Sequence, residues 1–160
     1  MKNAMRYEVT VPRRIGGLRL APENHNRPGE TAALAVDVIY TTDKGTHRAL
    51  EKAWALAQDL GAQVRLVFIY AVPYTLPLTK PAVPLPFLQD KLVKLASGFS
   101  GEASVQIFLC RETFQTLEDV LPQASLVVLG GRRRWWPSKV QRLERRLQRL
   151  GHQVIFAEAR

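Results

Sequence analysis

Ser125–Trp136 reads SLVVLGGRRRWW. A short apolar run ends in two glycines, and three arginines and two tryptophans follow. Four to eight apolar residues bounded by a turn signal read as a buried strand. Gly130 and Gly131 allow the backbone to turn sharply and to approach another group closely. Arginines just past such a strand suit an anion, and in an open parallel sheet ligands bind at the strand ends. The segment predicts a parallel α/β sheet and a place to look for a site, without naming a ligand.

The rest of the chain from Leu34 supplies the partners of that strand. Leu34–Thr41 is a mostly apolar strand and Thr42–Gly45 a turn. Thr46–Leu60 carries Ala49, Leu50, Ala53, Trp54, Ala57 and Leu60 at helical spacing. Thr46 or Asp43 can cap its start, and Gly61 suits the left-handed position after its end. Val64–Val72 is nearly all apolar, which fits a strand covered on both faces. Pro73–Pro86 holds five prolines and reads as a crossover loop. Phe87–Ala96 is a helix, Ser104–Cys110 a strand, and Thr113–Leu121 a short helix stopped by Pro122. After strand Leu126–Leu129 come helix Lys139–Leu150 and a last strand, Val154–Ala157. This β-α alternation predicts a parallel sheet with helices on both faces.

Residues 1–30 read as an arm and linker ahead of a 31–160 domain. Tyr7, Val9 and Val11 alternate with Arg6, Glu8 and Thr10. A turn at Arg14–Gly17 would bring Leu18 and Leu20 back as the second strand of a β-hairpin, with a flexible tail as the alternative. Ala21–Glu30 is polar and proline-containing.

The chain has 160 residues and a formal charge of +9. That length suits one domain with a full core. No run approaches the roughly 18 apolar residues of a membrane-spanning helix, and the N-terminus lacks the apolar core of a secretory signal. A single cysteine, Cys110, excludes an internal disulfide and fits the cytoplasm. The three histidines show no metal-ligand spacing. Basic charge favours nucleic acid, anionic lipid or a phosphorylated small molecule. It is concentrated in residues 132–149, where eight cations meet one acid, Glu144.

The element order, the unit ALEKAWALAQDLGAQVRLVFIYAV (Ala49–Val72) and the block SLVVLGGRRR (Ser125–Arg134) together resemble the universal stress protein family. The resemblance runs from Leu34 to the C-terminus. It implies a three-layer α/β sandwich with five parallel strands in the order 3-2-1-4-5, counted from Leu34. It also implies a homodimer through the C-terminal strand and a binding or signalling role in the stress response. Some family members bind ATP through a G-x-x-G-x9-G-[ST] motif, whose glycines admit phosphates to the backbone. Gly130 matches its first glycine, but Arg133 stands at the second and the distal G-[ST] is missing. Family members place an aspartate after the first strand; counting back from Arg48 puts Thr41 there, while Asp37 falls mid-strand.

The candidate site is therefore the junction of the first and fourth strands, with Thr41, Thr42 and Asp43 facing Gly130, Gly131, Arg132 and Arg133. Its ligand would be ATP or another nucleotide, bound outside the family's usual mode. A pocket filled by its own side chains is the favoured alternative. Trp135 and Trp136 can stack on a base, anchor an interface or close the core, the last two being favoured. Arg142, Arg145, Arg146 and Arg149 line the face opposite the leucines. They suit solvent first and an anionic polymer second, although no nucleic-acid motif is present. Cys110 beside Arg111 reads as a small buried hydrophobe before a reactive thiol, and His152 as structural. No nucleophile–base pair, acid pair or metal cluster can be assigned. The primary expectation is a non-catalytic binding or signalling module, with nucleotide binding and anionic-polymer binding as alternatives and nucleotide hydrolysis last.

Overall fold

The computed structural model describes residues 4–11, 34–135 and 138–159. The elements are β1 (Ala4–Val11), β2 (Ala35–Ile39), α1 (Asp43–Leu60), β3 (Gln63–Ala71), α2 (Leu85–Ser97), β4 (Ala103–Cys110), α3 (Thr113–Val120), β5 (Leu126–Gly131), α4 (Lys139–Arg149) and β6 (Gln153–Glu158). Strand side chains alternate between faces, and both faces are covered. Val36, Val38, Leu66, Val105, Ile107 and Val128 pack with α1 and α2 on one side. Ile39, Val127 and Leu129 pack with Leu117 of α3 and Leu147 of α4 on the other.

The sheet has six strands in the order β1-β4-β3-β2-β5-β6. Strands β2 to β6 pair in parallel. β1 lies antiparallel to β4, with Ala4 opposite Cys110 and Val11 opposite Ala103. The expectation of five parallel strands with an N-terminal hairpin is thereby corrected: the sheet is mixed, and its sixth strand comes from the N-terminus. The alternation around Tyr7 does mark a strand, but its partner is distant in sequence. A lone hairpin is marginal in water, whereas the edge of β4 offers a row of unpaired backbone groups. Met5 and Tyr7 also pack against the core on the α1/α2 side. The proposed return strand at Leu18 and Leu20, and the linker Ala21–Glu30, lie outside the described residues.

Local chemistry moves several boundaries. α1 begins at Asp43 because Thr42, rather than Thr46 or Asp43, is its N-cap; the Thr42 hydroxyl accepts from the Gly45 N–H at 3.1 Å. Thr46 instead accepts from the Thr41 N–H at 3.1 Å. Gly61 closes the helix at φ 61°, a left-handed conformation suited to glycine. α2 takes in Leu85 and Pro86, earlier than the proline count suggests, since a first-turn proline gives up no intrahelical hydrogen bond. β5 runs through both Gly130 and Gly131, so these glycines finish a strand rather than form a turn.

Candidate functional site

β2 and β5 are adjacent and parallel, with Ile39 opposite Leu129, so the segments that leave their C-terminal ends meet. The Thr41 hydroxyl donates to the Gly130 carbonyl at 2.5 Å. The first turn of α1 rests directly on β5, and a Cβ on Gly45 would stand 2.5 Å from the Gly130 oxygen. The Gly131 carbonyl accepts from the Ala159 N–H at 2.8 Å. Thr41 and Gly130 thus come together, Thr42 caps α1, and the glycines serve close backbone packing.

The other residues of this junction turn elsewhere. Asp43 accepts from the Tyr40 hydroxyl at 2.7 Å and pairs with Lys91 at 3.2 Å. The Tyr40 hydrogen bond, with Lys91 adding to it, holds the Asp43 carboxyl below its ordinary range. The same tyrosine, then Asp43, raises the Lys91 ammonium. A cavity of about 590 Å³ beside α1 is lined by Asp43, Lys44, His47 and Arg48, with none of the β5 glycines or arginines. Arg132 is exposed. Arg133 pairs with Glu144 at 3.2 Å and lies over the Phe156 ring at 4.5 Å.

The basic segment forms one surface. α4 begins with a full capping box: the Ser138 hydroxyl accepts from the Gln141 N–H at 3.3 Å, and the Ser138 N–H donates to Gln141 Oε1 at 2.8 Å. Leu147 is buried, and Val140 and Leu143 pack beside it against the sheet. The charged positions are left on the outer side. Arg146 is tied to Glu118 at 3.1 Å and lies over Phe114 at 4.4 Å. Arg132, Arg134, Lys139, Arg142, Arg145 and Arg149 are exposed and form no ion pair among the described residues. Trp135, in the loop before α4, is 94% exposed. Trp136 and Pro137 lie outside the described residues.

Three further features settle residues that the sequence left open. Cys110 is fully buried; burial, only partly offset by a hydrogen bond from Thr116, pushes its thiol above the ordinary range. Arg111 does not activate it. Its guanidinium donates to the carbonyls of Val72 at 3.0 Å, Pro73 at 2.5 Å and Leu76 at 2.8 Å, and covers the Tyr74 ring. It fastens the start of the proline-rich crossover. His152 is buried, and its Nδ1 accepts from the Ser125 N–H at 3.2 Å, a structural contact.

Asp37 lies inside the apolar strand β2, the mid-strand position that favours Thr41 over it as the match to the family's aspartate. It is buried and pairs with Arg65, its cross-strand neighbour on β3, at 2.5 Å. Arg65 Nη2 is buried and has no hydrogen-bond partner among the described residues. The only signal in the sequence is the pair of opposite charges, and register alone brings them together. A cavity of about 450 Å³ opens beside them at the N-terminal end of the sheet.

Among the described residues, no group of three or more His, Cys, Asp or Glu is placed to hold a metal ion. No helix of the described residues is long and apolar enough to cross a membrane. The chain matches no family model, no curated protein and no solved structure.

Proposed function

We propose that this chain is a non-catalytic binding module that engages an anionic polymer through the outer face of α4 and the Arg132–Trp135 loop. One observation carries this reading. Six exposed cations that have no ion-pair partner among the described residues share a helix and its leading loop, and the opposite side of that helix is buried in the core. Surface cations gain little from isolated ion pairs, but a dense set neutralises many phosphates and releases their counterions. This reading ranks ahead of a nucleotide at the strand ends, where Thr41, Gly45 and Gly130 pack on one another. The likeness to universal stress proteins and a homodimer through β6 belong to the same proposal. Support for them lies in the β-α order from Ala35 and in the position of β6 at the sheet edge.

Charge reversal at Arg142, Arg145 and Arg149 tests the reading. Arg146 is left intact because Glu118 and Phe114 hold it. Wild-type affinity for a labelled duplex should fall with salt, log–log slope about −0.9 per phosphate contact. The triple variant should lose that binding while keeping its melting temperature. Retained affinity with an unchanged slope removes the proposal.

A further inference from the structure

We propose that the anionic polymer is a single-stranded nucleic acid and that Trp135 is the platform on which one of its bases stacks. The inference rests on the basic-surface reading above and adds a partner class to it. Exposed cations account for phosphate binding but not for an indole that is 94% exposed beside them. Trp135 is also not on a free tether. Its loop is fastened to α4 and β6 by three contacts. Arg133 pairs with Glu144 at 3.2 Å, the same guanidinium lies over Phe156 at 4.5 Å, and the Arg134 carbonyl accepts from Gln141 Nε2 at 3.3 Å. Gln141 is also the residue that closes the α4 capping box, so one side chain secures both the helix start and the loop. An aromatic held in place before its ligand arrives loses less freedom on binding.

The surroundings of the indole choose between partners. Every base has a π-face, and single strands leave those faces open to an aromatic side chain. In a duplex the same faces are stacked on neighbouring base pairs, so a duplex can use the cations but not the indole. A membrane surface would call for an apolar helix face. The apolar face of α4 is already spent on the sheet, with Leu147 buried and Val140 and Leu143 packed beside it. Arg132 and Arg134 lie in the same loop as Trp135, and Lys139, Arg142, Arg145 and Arg149 continue down the helix. At 1.5 Å rise per residue, these helix cations form a track along which a backbone can follow the base bound at Trp135.

The test compares labelled oligo(dT) and oligo(U) with a duplex of equal phosphate number, using the full chain and Trp135→Ala. The substituted side chain is exposed, and an unchanged thermal melt checks the fold. Wild type should bind the single strands more tightly than the duplex, with tryptophan fluorescence quenched by the single strands. Trp135→Ala should weaken single-strand binding about tenfold and leave duplex affinity and its salt slope unchanged. No loss, or an equal loss on both nucleic acids, overturns the stacking role while leaving the charged surface standing. Binding to polyglutamate but to neither nucleic acid overturns the nucleic-acid partner while leaving the charged surface standing, and binding to phosphatidylglycerol vesicles alone overturns both.

Discussion

Gly45 and Gly130 meet backbone to backbone: a Cβ on Gly130 would stand 1.7 Å from the Gly45 carbonyl oxygen. The contact seats the first turn of α1 on the last residues of β5. Neither helix nor strand can be moved back by a rotamer change, because both sides of the contact are main chain. Gly130→Ala should therefore destabilise the protein by about 3 kcal/mol or more, beyond ordinary overpacking. The atoms nearest a Cβ on Gly131 are side-chain atoms of Phe156 and Val140 at 3.6 Å, ordinary van der Waals contact, so Gly131→Ala should stay within about 1 kcal/mol of wild type. Urea midpoints of the two variants check the contrast, and equal midpoints would contradict it.

Asp37 and Arg65 form an ion pair in which Asp37 is buried and Arg65 is half-buried. Removing one partner leaves the other charge buried and unmatched. Asp37→Asn should cost about 3–5 kcal/mol, while the paired replacement Asp37→Val with Arg65→Leu should recover most of that loss. Urea midpoints of the two variants and of wild type make the comparison. An Asn variant as stable as wild type would show that solvent reaches the pair.

The sequence carried the helical faces and apolar strands well because their periodicities are local. Ala49, Leu50, Ala53 and Ala57 are all buried, and their spacing alone announces it. Contacts between distant segments were less legible. Tyr7 and Val9 announce a strand, but nothing near them says that β4 is its neighbour and runs the other way. Arg111 beside Cys110 leaves a reactive thiol only as the lesser reading of the sequence; its reach to the carbonyls of Val72, Pro73 and Leu76 depends on how the crossover returns. At the strand ends, the sequence brought Thr41 and Gly130 to one place but left open whether a ligand or the chain's own backbone occupies it. Gly45, which the sequence marks only as the end of a turn, sits in the helix's first turn and packs on Gly130.

Cys110 gives stability a pH dependence of definite sign. Its folded-state thiol is raised, with burial the largest cause. The unfolded thiol ionises near its ordinary value of about 8.5. Above that pH the unfolded state binds fewer protons than the folded state, so unfolding becomes easier as pH increases. This contribution is fully present below about pH 8.5 and is lost as pH rises through the folded value. Cys110→Ala should flatten that part of the urea-stability profile. A wild-type slope that survives the substitution would assign the effect to another group. Labelling by a thiol reagent should likewise follow opening of the fold, not solvent encounter.

Among the described residues β6 has β5 on one side only and closes that end of the sheet, and such an edge presents backbone groups open to pairing. Its two apolar faces are not equivalent. Phe156 is covered by the Arg133 guanidinium at 4.5 Å, whereas Ile155 is half-buried against the core on the α1/α2 side. A second copy pairing along this edge would place the two Ile155 side chains close to one another and complete their burial. Ile155→Lys should then shift sedimentation from dimer to monomer while far-UV circular dichroism stays native, because like charges would be brought together across the edge. A wild-type chain that sediments as a monomer, or a variant whose mass is unchanged, would remove β6 as the dimer contact. Neither result would bear on the basic surface of α4, which lies on a face of the sheet and not along its edge.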